Sequence, residues 1–163
     1  MYLLLKRKMN NQTHPLLLVK IVIIAFITGA ISLPSFLELC SPFWLLLFFT
    51  YWLIYTDSKK IYTSALVLGL LLDILQGGIL GQNALSLVLS SAFILNVKKS
   101  FFVSNLTTQQ VYIFFASLIY LITFLLIHIS VQGLEIKWLV LLSPLTGSVL
   151  WPFIRFLLAK LKQ

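Results

Sequence analysis

KKIYTSALVLGLLLDILQGGILGQNALSLVLSSAFILNVKK, residues 59–99, opens and closes on a pair of lysines, and between them two apolar runs meet at a glycine-rich turn. A chain that leaves one basic cluster, crosses apolar sequence, turns and returns to a second basic cluster reads as two antiparallel bilayer crossings with their cations kept on one side. The turn, with Gly77, Gly78 and Gly81, has no positive charge and supplies residues for which a tight reversal is easy.

Outward from this stretch the alternation continues to both ends. Lys6/Arg7/Lys8, Lys59/Lys60, Lys98/Lys99 and Lys160/Lys162 occupy every second gap, while the gaps at 34–42, 77–82 and 132–137 carry little or no positive charge. Six crossings satisfy the pattern, at about 16–33, 43–56, 61–76, 79–97, 109–131 and 138–158, with both termini cytoplasmic. The expected fold class is therefore all-α, a polytopic integral membrane protein whose six transmembrane helices form one bundle over residues 1–163. The polar segment 98–110 is expected to be an interfacial loop.

At 60% hydrophobic and 10% charged residues, against roughly a quarter charged in soluble domains, the chain leaves no room for a water-solvated domain. Loops this short present little surface, so partners are expected to meet the outer faces of the helices. A net charge of +8 borders the apolar runs instead of forming a stripe, which assigns it to topology and anionic headgroups and not to nucleic acid. Cys40 is the single cysteine, so no intrachain disulfide or CxxC site exists. The first apolar run exceeds a signal h-region and is followed by no A-x-A site, so it is expected to persist as a crossing, with Lys20 snorkelling toward headgroups. Trp44, Tyr51, Trp52 and Tyr55 lie toward the ends of the second run, where amphipathic rings suit the interface.

Asp73 is the one acid embedded in an apolar run, at a cost of about 2.5–3.5 kcal/mol at mid-span and less near a helix end. Spacing by four puts Ala65, Gly69, Asp73 and Gly77 on one face; Asn83, Ser86 and Ser90 form a second polar face, and Ser143, Gly147, Trp151 and Arg155 a third. His128 reaches a depth comparable with Asp73, and the two are expected to pair or share a water. Arg155 is read as snorkelling, and Pro144 and Pro152 are expected to bend the last helix. Four acids and two histidines, none grouped, with no HExxH, GxSxG or Walker A motif, argue against an enzyme and for no cofactor or metal. The candidate interaction or helix-packing residues are Gly69, Asp73, Gly77, Gly81, Asn83, His128, Trp151 and Pro152.

Tyr51-Trp52-Leu53, the stretch Gly69-Leu-Leu-Leu-Asp73-Ile-Leu-Gln-Gly77-Gly-Ile-Leu-Gly81 and the terminal Gly147-Ser-Val-Leu-Trp151-Pro152-Phe-Ile-Arg155 keep the order and spacing of three signatures. On these residues the chain resembles, over nearly its whole length, the rod shape-determining MreD family. The resemblance implies a non-enzymatic subunit of the bacterial cytoplasmic (inner) membrane, needed for rod cell shape and for positioning or regulating peptidoglycan synthesis. It further implies association with MreC and, through it, with MreB, RodA and the elongation transpeptidase. The family also resembles the substrate-binding components of energy-coupling-factor transporters, which supplies the alternative of a solute-binding membrane subunit of a vitamin-type transporter. That alternative would use a polar cavity near Asp73 and Asn83, and the thin supply of polar residues argues against it.

Overall fold

The computed structural model describes residues 20, 22–23, 27, 41–55, 60–133 and 138–161. Apart from the helical residues Lys20, Val22, Ile23 and Ile27, the expected first crossing lies outside these residues, as do Cys40, Glu38, Asp57 and Glu135.

Helix α1, Trp44–Tyr55, is apolar on every side, and a helix of that kind belongs in an interior. Ten consecutive residues, Leu45 to Ile54, are indeed buried. This corrects the interfacial reading of two of its aromatic residues. Tyr51 and Trp52 are 2% and 7% exposed, covered by protein, and their rings lie tilted against those of Tyr55 and Phe49 at 4.6 and 5.4 Å between centroids, while Trp44 and Tyr55 at the helix ends are half-buried.

Helix α2, Ile61–Gln76, has the bounds expected for the third crossing. It buries Ile61, Ala65, Leu68, Gly69 and Asp73, a repeat of three and four that faces the bundle. Helix α3, Gln82–Val103, departs from expectation. It starts three residues late and runs on through Lys98 and Lys99, where an interfacial loop was expected. The continuation has a packing reason: Phe101 is buried, edge-on to Trp151 at 5.6 Å and stacked on Tyr112 at 5.8 Å, so unwinding here would expose aromatic surface. Helix α4, Leu106–Gln132, begins after a break of two residues, Ser104 and Asn105.

The expected last crossing divides into a 3-10 turn, Trp138–Leu142, and helix α5, Ser143–Leu161. Pro144 falls in the first turn of α5, where a missing N–H has no helical partner to lose, so it does not interrupt the helix as expected. Pro152 does sit inside, and it leaves the carbonyl of Ser148 without its i+4 donor.

Consecutive helices α2 to α5 pack on one another, and α1 lies against α3 and α5. The α3–α4 pair is antiparallel in a register fixed by side chains. Gln82 Nε2 donates to the Phe124 carbonyl at 3.0 Å, Ser90 Oγ to that of Ala116 at 3.0 Å, and Ser100 Oγ meets the Tyr112 hydroxyl at 2.8 Å. One end of the bundle thus collects the starts of α2 and α4 with the ends of α3 and α5, and with them Lys60, Lys98, Lys99 and Lys160. The other end carries the glycine turn and, among the described residues of α2 to α5, no Lys or Arg.

Beside an apolar core, polar side chains lie inside and large apolar ones outside, unlike the usual arrangement of a water-soluble domain. Asp73, Asn83, Gln82, Ser90, Gln109 and Ser117 are buried, while Leu85, Leu126, Val149, Phe153 and Phe156 face outward. The segments Gln82–Val103, Leu106–Gln132 and Leu139–Lys160 are long and apolar enough to cross a bilayer. Among the described residues there is no β-strand.

Candidate functional site

With Ser90, Ser91 and Ser117 buried between them, two clusters of buried polar groups lie at the ends of α3. At its start, α2 ends in a left-handed glycine, Gly77 (φ 62°), whose N–H donates to the Ile74 carbonyl at 3.3 Å while Gly78 N–H donates to that of Asp73 at 3.2 Å. These two bonds close a Schellman cap and satisfy carbonyls that a helix end otherwise orphans. The chain turns back through Gly81 (φ 93°), the N-cap of α3, which has no side chain with which to cap.

Asp73 supplies the missing cap from the neighbouring helix. Its Oδ2 accepts from Gly81 N–H at 2.8 Å, and its Oδ1 accepts from Asn83 N–H at 2.9 Å and from Asn83 Nδ2 at 2.8 Å. A carboxylate at a helix N-terminus takes up free N–H groups and meets the positive end of the macrodipole, which answers the cost of burying it. Asn83 relays the contact: its Nδ2 also donates to Gln76 Oε1 at 3.2 Å, and its Oδ1 accepts from the Tyr120 hydroxyl at 2.5 Å. Asp73, Asn83 and Tyr120 therefore join α2, α3 and α4. Such proximity requires Gly69. A Cβ on that residue would overlap Ala84 Cα and lie 2.6 Å from the Ala84 nitrogen, so α2 meets the first turn of α3 backbone to backbone.

At the other end of α3, Gln109 has the corresponding role. Its Nε2 donates to the carbonyls of Phe101 and Ser104 at 3.1 and 3.0 Å, satisfying acceptors in and just after the last turn of α3. Its Oε1 accepts from Trp151 Nε1 at 3.3 Å and from Arg155 at 2.9 Å. Arg155 thus turns its guanidinium inward to α4, near the negative end of the α3 dipole, instead of reaching outward. Ser148 Oγ adds a bond to the Gln110 carbonyl at 3.0 Å.

Of the candidate residues, Gly69, Asp73, Gly77, Gly81 and Asn83 come together in the first cluster, and Trp151 lies in the second with Pro152 beside it. His128 joins neither. The expected pairing with Asp73 is replaced: the imidazole stacks on Phe124 at 6.3 Å and 7°, continuing a ladder in which Phe124 stacks on Tyr120 at 6.5 Å and 13°. Gln109 and Tyr120 were missed in the sequence. Their signal is the repeat Gln109, Ile113, Ala116, Tyr120, all buried on one face of α4.

Among the described residues every buried side-chain nitrogen and oxygen has a hydrogen-bond partner, and no three of His, Cys, Asp and Glu gather as metal ligands. The arrangement holds helices in register.

Comparison with known proteins places this architecture. The rod shape-determining protein MreD of Haemophilus influenzae is 27% identical over 144 residues, covering 86% of this chain and 87% of the relative. No solved structure matches. The family model for rod shape-determining protein MreD matches residues 9–161, almost the full length, and the chain belongs to that family.

Proposed function

We propose that the chain is a non-enzymatic scaffold of the bacterial cell-elongation complex. It crosses the cytoplasmic membrane six times with both termini inside, and it positions or regulates peptidoglycan synthesis so that cells stay rod-shaped. The observation that carries this reading is that, among the described residues, every buried side-chain nitrogen and oxygen has a partner within the protein, while large apolar side chains such as Leu126, Val149, Phe153 and Phe156 face outward. A molecule built so offers its neighbours shape and apolar helix faces, the means by which membrane helices associate. MreC is the proposed direct partner, with MreB, RodA and the elongation transpeptidase reached through it.

The test is depletion and rescue. Cells lacking the protein are expected to round up, to regain rod shape when it is restored, and to yield MreC with it on purification from membranes. Depletion that left cells rod-shaped while abolishing uptake of one vitamin would reverse the conclusion in favour of a transporter subunit. That alternative lacks support because Asp73 and Asn83, on which it relied, are engaged with α2, α3 and α4. A C-terminal reporter scoring as periplasmic would overturn the orientation.

A further inference from the structure

Helix lengths and register make one end of this bundle uneven. Gly69 lies against Ala84, so an antiparallel pair in that register sets Ile61, eight residues before Gly69, level with Ala92, eight after Ala84. Helix α3 then continues from Phe93 to Val103, about 16 Å past the start of α2. Helix α4 begins beside the end of α3, while at the other end its last eight residues run past the start of α3, where Gln82 is level with Phe124. Around the break between the two helices Lys99, Ser100, Asn105, Thr107 and Thr108 are all exposed.

At the tip of this projection two apolar side chains flank the break between α3 and α4. Val103 is 79% exposed and Leu106 49%. Neither is loosely held, because Gln109 ties the Phe101 and Ser104 carbonyls beneath them to Trp151 and Arg155 on α5. Lys99 lies one turn back along α3, and Lys160 is exposed at the same end. The only described acid, Asp73, is at the opposite end of α3.

We propose that the α3–α4 tip is a docking knob for a cytoplasmic protein whose receiving surface is an apolar socket edged with carboxylates. The inference deepens the scaffold reading and rests on its orientation. Bilayer lipid is the less suitable cover, since Val103 lies a turn beyond Lys98 and Lys99, the cations that mark the cytoplasmic edge of the hydrocarbon. An apolar pair held rigidly in water beside exposed lysines is matched by a socket of opposite charge, which steers encounter while the apolar contact provides the hold. The partner contact expected of lipid-facing helix sides alone thus gains a second, water-facing site.

The experiment uses the full chain with Cys40→Ser and Val103→Cys, probed by a membrane-impermeant maleimide. In liposomes of phosphatidylethanolamine and phosphatidylglycerol, Cys at 103 is expected to label readily; protection there would mean lipid covers the tip and would overturn the proposal. In inverted native vesicles that retain peripheral proteins, labelling is expected to be suppressed, and to return after stripping or in a Lys99→Glu background. Equal labelling before and after stripping, or suppression that Lys99→Glu leaves intact, would also overturn it. An unchanged melting temperature for Lys99→Glu shows that the bundle itself is intact. Rod-shape rescue by Lys99→Glu tests the scaffold reading separately: protection lost with full rescue keeps the docking surface and removes its role in shape.

Discussion

Asp73 and Asn83 are bound to each other twice, once through the backbone N–H and once through the side-chain amide of Asn83, both on the same carboxylate oxygen at 2.9 and 2.8 Å. An acid that composition alone marks as an oddity is thus the N-terminal cap of a helix to which it does not belong. All three groups facing its carboxylate are donors, counting Gly81 N–H. The Asn83 amide oxygen accepts from the hydroxyl of Tyr120 on a third helix.

Asp73→Ala is therefore expected to orphan three buried donors, at about 1–3 kcal/mol each before relaxation. Asp73→Asn turns one amide NH2 against a donor and keeps an acceptor for the rest, so its loss should be smaller. Thermal unfolding in detergent is expected to rank wild type above Asp73→Asn above Asp73→Ala. A melting temperature for Asp73→Ala equal to wild type would show that the carboxylate is not the cap.

Tyr120→Phe removes one hydrogen bond, a loss of about 0.5–1.5 kcal/mol. In an Asn83→Ala background the same change should have almost no effect, since its acceptor is already gone. A double-mutant cycle reads the coupling, and additive losses would separate the two residues.

The glycines divide by cause. Gly69→Ala is expected to force α2 and α3 apart and to reduce folded yield severely, because the obstruction is Ala84 backbone. Gly147→Ala should be nearly silent, its new Cβ lying no closer than 3.5 Å to any neighbour. Gly77→Ala has open space but a left-handed backbone, and should cost about 1 kcal/mol. Purified yield and melting temperature of the three variants give the order.

Gln109→Leu keeps the bulk of the side chain and removes both its donor and its acceptor. The carbonyls of Phe101 and Ser104, with Trp151 Nε1 and Arg155, then lose their partner. Amide hydrogen exchange is expected to accelerate around residues 100–108 and to stay slow near Gly81–Ser86. Uniform exchange across both ends would show that the two clusters do not hold α3 separately.

The helices were legible in sequence wherever periodicity or charge marked them. Lysine pairs and the glycine turn bracket α2, and both of its bounds came out as read. The stripe Ala65, Gly69, Asp73 was visible for the same reason, since spacing by four is a property of one helix. The end of α3 was not legible: Lys98-Lys99 signals an exit from apolar surroundings, but a helix continues in water if its aromatic residues have somewhere to pack, and Phe101 packs on a tryptophan fifty residues later. The partner of Asp73 was missed by the same kind of error. Depth in the membrane suggested His128, whereas the tightness of the Gly77–Gly81 turn brings the N–H groups of Gly81 and Asn83 within reach first. Burial of Tyr51 and Trp52 was hidden because an aromatic at a helix end looks the same whether lipid or protein surrounds it.

The break at Pro152 has a mechanical corollary. Helix α3 is pinned at its two extremities by side chains anchored in other helices, so its span is fixed and it cannot shorten or tilt alone when the surrounding bilayer thins or thickens. Helix α5 has one rung missing from its hydrogen-bond ladder, and bending there is the softest response available. Variation in lipid length is then expected to change the angle at Pro152 only slightly, because Arg155, one turn later, ties the segment that carries Lys160 to Gln109.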